Sequence, residues 1–212
     1  MKFDPQKHHR RSIRLKGYDY SQAGIYYVTI VTQGREHIFG EIVNKEMVLS
    51  RYGEIVQKWW DDIPVHFPNV KIVAFVIMPN HIHGIIFITD DRRGEVLSPR
   101  ILSPRILSPH ILSPRDNPNQ NMMNNETMGI HNQGRETPLR GKLTLGQIMA
   151  YFKYQSTKEM NALDDKDVIT KFWQRNYYER IIRNEKELQQ KTDYILDNPS
   201  RWEDDMENPI KL

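Results

Sequence analysis

His81-Ile82-His83 lies in an apolar run that begins at Phe75 and ends at Ile88. Successive side chains of a strand point to opposite faces, so His81 and His83 share one face, with Cα atoms roughly 6.5–7 Å apart, and Ile82 takes the other. Two imidazoles so placed can converge on one divalent ion, and two histidines among aliphatics are costly without a partner. A second group is Tyr194-Ile195-Leu196-Asp197-Asn198. On a helix, positions i and i+4 lie on one face, which sends the tyrosine hydroxyl and the amide oxygen the same way. A phenol with a pKa near 10 is a poor nucleophile at neutral pH unless a base or a nearby positive charge helps its oxygen. A metal beside a phosphate polarises the phosphoryl oxygens and orients the phosphorus for in-line attack. Taken singly, the histidine pair also fits a structural or surface pair, and the tyrosine also fits ordinary helix packing.

These groups need elements to hold them. Residues Ile25 to Thr32 are rich in β-branched and aromatic side chains and read as a strand. Phe39–Val43 and Met47–Leu49 flank Asn44-Lys45-Glu46 as a hairpin. From Tyr52 to Ile63 the apolar residues Ile55, Val56, Trp59 and Ile63 fall at helical spacing, and Pro64 is expected to close that helix. Val70–Ile77 and His81–Ile88 read as strands separated by Met78-Pro79-Asn80. Leu145, Ile148, Met149 and Phe152 make one stripe of a helix from about Thr144 to Met160, and Val168–Tyr178 is expected as a short strand with its approach. Asn184 followed by Glu187 has the form of a helix N-terminus, and the helix should run to about Asp197, because Pro199 disfavours helical geometry at Asn198. This order gives a mostly antiparallel sheet with helices on one or both faces, an α+β fold.

The length of 212 residues suits one domain with insertions or at most two small ones. There are no cysteines, so any metal must take nitrogen and oxygen ligands; a reducing, cytoplasmic setting fits. No apolar run reaches the roughly 18 residues of a membrane span, and the N-terminus has no apolar core of a secretory signal, so neither is expected. The net charge of +3 conceals an asymmetry: residues 1–16 carry six Lys and Arg against Asp4 alone, which leaves the remainder at −2. Residues 1–20 are thus a basic arm, suited to phosphate contacts or simply to solvation. Residues 90–142 change character, with four tandem copies of a pentapeptide from Val96-Leu97-Ser98-Pro99-Arg100 to Ile111-Leu112-Ser113-Pro114-Arg115. A period of five fits neither helix nor strand, and each copy has a proline. The stretch reads as a long flexible insertion between two halves, 21–89 and 143–212, of one domain.

Four stretches together resemble the HUH single-tyrosine transposases, and within them the REP-associated tyrosine transposases. They are Arg10-Arg11-Ser12-Ile13-Arg14-Leu15-Lys16-Gly17-Tyr18-Asp19-Tyr20 leading into Tyr26-Tyr27-Val28-Thr29-Ile30, then Val76-Ile77-Met78-Pro79-Asn80-His81-Ile82-His83-Gly84-Ile85, then Phe172 to Arg183, and finally Tyr194-Ile195-Leu196-Asp197-Asn198-Pro199. The resemblance implies a ferredoxin-like antiparallel sheet, Mg²⁺ or Mn²⁺ held by His81, His83 and Asn198, and Tyr194 as the nucleophile. It implies attack on single-stranded DNA at hairpin-forming or palindromic repeats, with a 5′-phosphotyrosine link and a free 3′-OH, and rejoining by reversal. The pentapeptide insertion departs from the family's usual pattern and puts the DNA path and dimer contacts in question; monomer and homodimer both stay open.

DNA contacts are expected at Arg10, Arg11, Arg14 and Lys16, on the foot of a hairpin, and at Arg175, Arg180 and Arg183. The last three interleave with Phe172, Trp173, Tyr177 and Tyr178, a mixture that suits base stacking plus phosphate contact, or equally a half-buried strand. Lys153 and Tyr154, on the polar side of their helix, are further candidates. The competing reading is a non-cleaving ferredoxin-like nucleic-acid-binding module, which uses stacking aromatics but has no need of two histidines and a tyrosine. A third is a hydrolytic enzyme that uses a metal-bound water and tolerates Tyr194→Phe.

Overall fold

The structure, a computed structural model, describes residues 19, 22–89, 143–164 and 169–208. The arm residues Arg10, Arg11, Arg14 and Lys16 and the insertion 90–142 lie outside the described residues. Strands β1 (Gly24–Val31), β4 (Val70–Met78), β5 (His81–Ile88) and β6 (Tyr178–Ile182) form one antiparallel sheet in the order β4-β5-β1-β6. Helix α1 (Arg51–Asp61) lies between β1 and β4, and α3 (Leu145–Asp164) between β5 and β6. The sequence β1-α1-β4-β5-α3-β6 is the ferredoxin-like arrangement. A separate hairpin, β2 (Gly40–Val43) and β3 (Glu46–Leu49), turns through Asn44 and Lys45, both at positive φ (52° and 67°), as a two-residue turn matched to strand twist requires.

Period-two alternation divides the sheet into two faces. Tyr26, Val28 and Ile30 of β1 and Ile82, Ile86 and Ile88 of β5 join the main core with Val56 and Trp60 of α1 and Ile148 and Phe152 of α3. The opposite residues Ile25, Tyr27, Ile85, Phe87 and Ile182 meet Leu188 and Ile195 of a fourth helix, α4 (Glu185–Asp197). His81 and His83 alternate with Ile82 and so belong to the α4 face. A shift in register between Ile72 and Ala74 lets β4 keep its partners along β5. Under the histidine strand, Gly84 is required: a Cβ there would fall 2.2 Å from the Trp60 ring, which itself stacks on Phe75 at 4.4 Å.

Several expected boundaries move. The strand expected at 168–178 is instead β6, Tyr178–Ile182, paired with Ile25–Thr29 of β1. The residues before it run irregularly, with one bridge from Trp173 to Thr32. Pro64 does not simply end a helix: α1 stops at Asp61, and Pro64 occupies the first turn of a short α2 (Ile63–His66), where its missing N–H costs nothing. α3 runs to Asp164, four residues past its expected end. α4 starts as expected, with the Asn184 side chain accepting from Glu187 N at 2.8 Å.

Candidate active site

β5 brings His81 and His83 side by side, both buried, with their Nε2 atoms 3.0 Å apart. The tautomer of His81 follows from its neighbour in the β4–β5 turn. Asn80 Nδ2 donates to the carbonyls of Glu207 (2.7 Å) and Arg35 (3.3 Å), so its Oδ1 must be the atom 2.8 Å from His81 Nδ1. An amide oxygen only accepts, hence Nδ1 carries the proton and Nε2 a lone pair. His83 Nδ1 lies 2.7 Å from Tyr27 Oη and 2.8 Å from Thr29 Oγ1, both of which can accept. Burial pushes both histidines down, His81 to about 4 and His83 well below its ordinary value, helped at His83 by His81 and Lys191. With both rings neutral, either His83 Nε2 donates its proton to His81 Nε2 at 3.0 Å, or two lone pairs face one another there and a cation fits between them.

α4 brings Tyr194 to the same place. Its Oη is 3.5 Å from His83 Nε2 and donates to Asp205 Oδ2 at 3.3 Å. Burial, and then Asp205, raise its pKa, while Asn198 lowers it. Asn198, the C-cap of α4, is buried and donates from Nδ2 to Asp205 Oδ2 at 3.2 Å. That bond fixes the amide, because a carboxylate oxygen can only accept. It leaves Asn198 Oδ1 buried with no hydrogen-bond partner. Tyr194 and Asn198, one turn apart on α4, thus share Asp205 Oδ2 as their acceptor.

Asp205 was not singled out in the sequence. It follows a 3₁₀ turn, Pro199–Asp204, that carries the chain back over the site, and it is buried. His81, His83 and Asp205 each offer a ligand atom within 4.8 Å of the others. His81 Nε2 and Asp205 Oδ2 are 4.0 Å apart; with the imidazole neutral this is two ligands facing one another rather than an ion pair. The set fits a small divalent cation. Cis ligands on an octahedron with bonds of about 2.1 Å stand about 3.0 Å apart, the separation of the two Nε2 atoms. The all-nitrogen-and-oxygen donors, the Nδ1 partners that orient each ring, and the orphaned Asn198 oxygen agree with that fit.

The remaining sequence candidates are more dispersed. Phe172 and Trp173 are core residues, with Trp173 Nε1 bonded to Ser156 Oγ at 3.0 Å, so neither is free to stack on a base. Tyr178 is 49% exposed, and Arg175 and Arg183 are exposed. Arg180, also exposed, pairs with Glu187. Lys153 turns its ammonium onto the carbonyls of Gln174, Arg175 and Asn176, and burial lowers its pKa to about 8; Tyr154 is exposed.

The fold has a counterpart among solved structures. A solved structure of a REP-associated tyrosine transposase bound to a REP hairpin superposes with a TM-score of 0.51 over 89% of this chain and 74% of that one, at 14% sequence identity. No profile of a known protein family matches the chain. At 38% identity over 205 residues, 96% of each chain, it belongs to the family of an uncharacterized protein of Haemophilus influenzae. Among the described residues no helix is long and apolar enough to cross a membrane.

Proposed function

We propose that the protein is a metal-dependent, single-tyrosine HUH transposase that cleaves and rejoins single-stranded DNA at hairpin-forming repeats through a 5′-phosphotyrosine intermediate. The observation that carries this reading is the position of Tyr194 Oη, 3.5 Å from His83 Nε2 and bonded to Asp205, at the edge of a buried cluster of metal-type ligands. His81, His83, Asp205 and the Asn198 amide oxygen would hold the ion. Bound Mg²⁺ or Mn²⁺ would supply charge against the phosphoryl oxygens and help a phenol that its surroundings otherwise keep protonated.

The chain's own residues do the rest. Tyr194 Oη attacks the phosphorus, the bond to the 3′ oxygen breaks, and a new phosphodiester to tyrosine conserves the bond energy. Asp205 Oδ2, already the acceptor of the Tyr194 hydroxyl, is placed to hold the phenolic proton. Tyr27 and Thr29 keep the His83 ring oriented, and Asn80 does so for His81. In this reading the two described halves form one catalytic domain, and the basic arm with Arg175, Arg180 and Arg183 contacts DNA.

The test is covalent trapping. Labelled hairpin-forming single-stranded oligonucleotides from DNA flanking the gene are incubated with protein and Mn²⁺ or EDTA and separated on denaturing gels. The expected result is an adduct that needs Mn²⁺ and disappears in Tyr194→Phe and His81→Ala. Tight binding unaffected by EDTA, with no adduct, would mean a binding module; cleavage that survives Tyr194→Phe would mean that water is the nucleophile.

A further inference from the structure

Lys191 stands one helical turn before Tyr194 on α4. Its ammonium lies 4.5 Å from the centroid of the Tyr27 ring and 5.5 Å from that of Tyr194. A lysine ordinarily carries its head to water on its long stem. Here the head is turned over two aromatic rings, and burial, then the Arg180 charge, lower its pKa. The ion pairs among the described residues do not include it. Glu187, one turn earlier, is engaged instead by Arg180 and by the backbone N–H of Arg183. Two ring faces offset only part of the cost of a half-buried ammonium, so its donors remain suited to an anion. One turn beyond Tyr194 on the other side stands Asn198, with the His81–His83–Asp205 cluster. α4 thus presents a fixed cation, a phenol and a cation-binding amide in one row.

We propose that Lys191 forms an anion subsite on the N-terminal side of Tyr194 that takes a non-bridging oxygen of the phosphodiester under attack. This rests on Tyr194 as the nucleophile. The phenolic proton passes to Asp205 Oδ2, the bond from Tyr194 Oη to phosphorus forms, the bond to the 3′ oxygen breaks with its electron pair on that oxygen, and a proton from water makes it the 3′-OH. Lys191 keeps its three protons throughout. Charge is spread over the equatorial oxygens of phosphorus during such a transfer, and a fixed ammonium in a partly dry site stabilises it without reorganising. The His–Asn side of the tyrosine and the Lys191 side would then grip the phosphate from opposite flanks.

Three measurements on wild type, Lys191→Met and Lys191→Arg test this. They are Mn²⁺ affinity by electron paramagnetic resonance, affinity of the Mn²⁺-loaded protein for the dinucleotide TpT by ³¹P broadening, and the rate of adduct formation at saturating hairpin oligonucleotide. Lys191→Met should leave Mn²⁺ affinity unchanged, weaken TpT about tenfold and slow the adduct about 10²-fold, with arginine recovering most of both. A loss of rate with TpT unchanged also supports the subsite, as a contact made while charge develops. An unchanged adduct rate in Lys191→Met, whatever happens to TpT, overturns it and leaves Tyr194 standing. So do equal losses in the methionine and arginine variants, which would mark a packing role. If wild type itself forms no adduct, the transposase reading fails, and the anion subsite is decided by TpT alone: kept if Lys191→Met weakens it, lost if not.

Discussion

His81 holds its proton on Nδ1 toward Asn80, and burial keeps the ring neutral down to about pH 4. In the unfolded chain a histidine titrates near 6.5. Between about 6.5 and 4 the unfolded state therefore binds a proton that the folded state refuses. Stability is complete above that window and falls as the pH drops through it, by up to about 1.4 kcal/mol per pH unit for each such histidine. His83 is depressed in the same direction and steepens the loss. Thermal melts in EDTA should show Tm falling from pH 6.5 to 4.5, with a shallower slope in a His81→Gln, His83→Gln double variant; a flat profile in the wild type would contradict the buried neutral pair. Asp205→Asn keeps the shape of the side chain but removes its charge, and should weaken Mn²⁺ binding by about 10–100-fold, measurable by titration calorimetry. Strand and helix periods fix that His81 travels with His83 and Tyr194 with Asn198, whereas joining the two pairs in one site rested on the resemblance alone. The sequence could not distinguish Asp205 from Glu203 and Asp204 beside it. Those two are exposed and only Asp205 is buried, a difference made by the path of a 3₁₀ turn rather than by any local pattern.

At the level of elements, β5 is pressed between the site and Trp60. Gly84→Ala would drive a methyl group into that indole, which cannot retreat because Phe75 lies parallel behind it at 4.4 Å. The substitution should cost about 2 kcal/mol by overpacking, read from denaturant unfolding. It should cost less in a Trp60→Leu background, since the two changes share one contact; equal costs in both would show that something other than the indole requires the glycine. β5, β4, β1 and α4 were readable because long apolar or capped segments announce themselves. β6 was not. It is an edge strand of five residues with Tyr178 and Arg180 exposed, so its alternation is weak. The stretch before it holds two buried aromatics, Phe172 and Trp173, that fill the main core from irregular backbone and imitate a strand's composition. The register shift in β4 between Ile72 and Ala74 also has no signal in a run of aliphatics.

For the molecule as a whole, the sheet joins residues from both sides of the insertion through the pairing of β1 with β6. The α+β class was legible from the order of elements, and the ferredoxin-like order from the resemblance. The β2–β3 hairpin was legible from its own residues; that it stands apart from the main sheet, and that among the described helices α4 covers the histidine face, are tertiary outcomes that no local pattern encodes. The site follows that division. The histidines come from β5, while Tyr194, Asn198 and Asp205 come from α4 and the turn after it, more than a hundred residues later in the chain.

That separation has a consequence for a growing polypeptide. A ribosome delivers the two imidazoles early, but the phenol, the amide and the carboxylate emerge only with the last part of the described chain. With Tyr194 as the attacking group, a partly synthesised or prematurely terminated chain could meet DNA and even a metal ion without being able to break a strand. Competence to cut would arrive in one step, once α4 and the turn after it have been made.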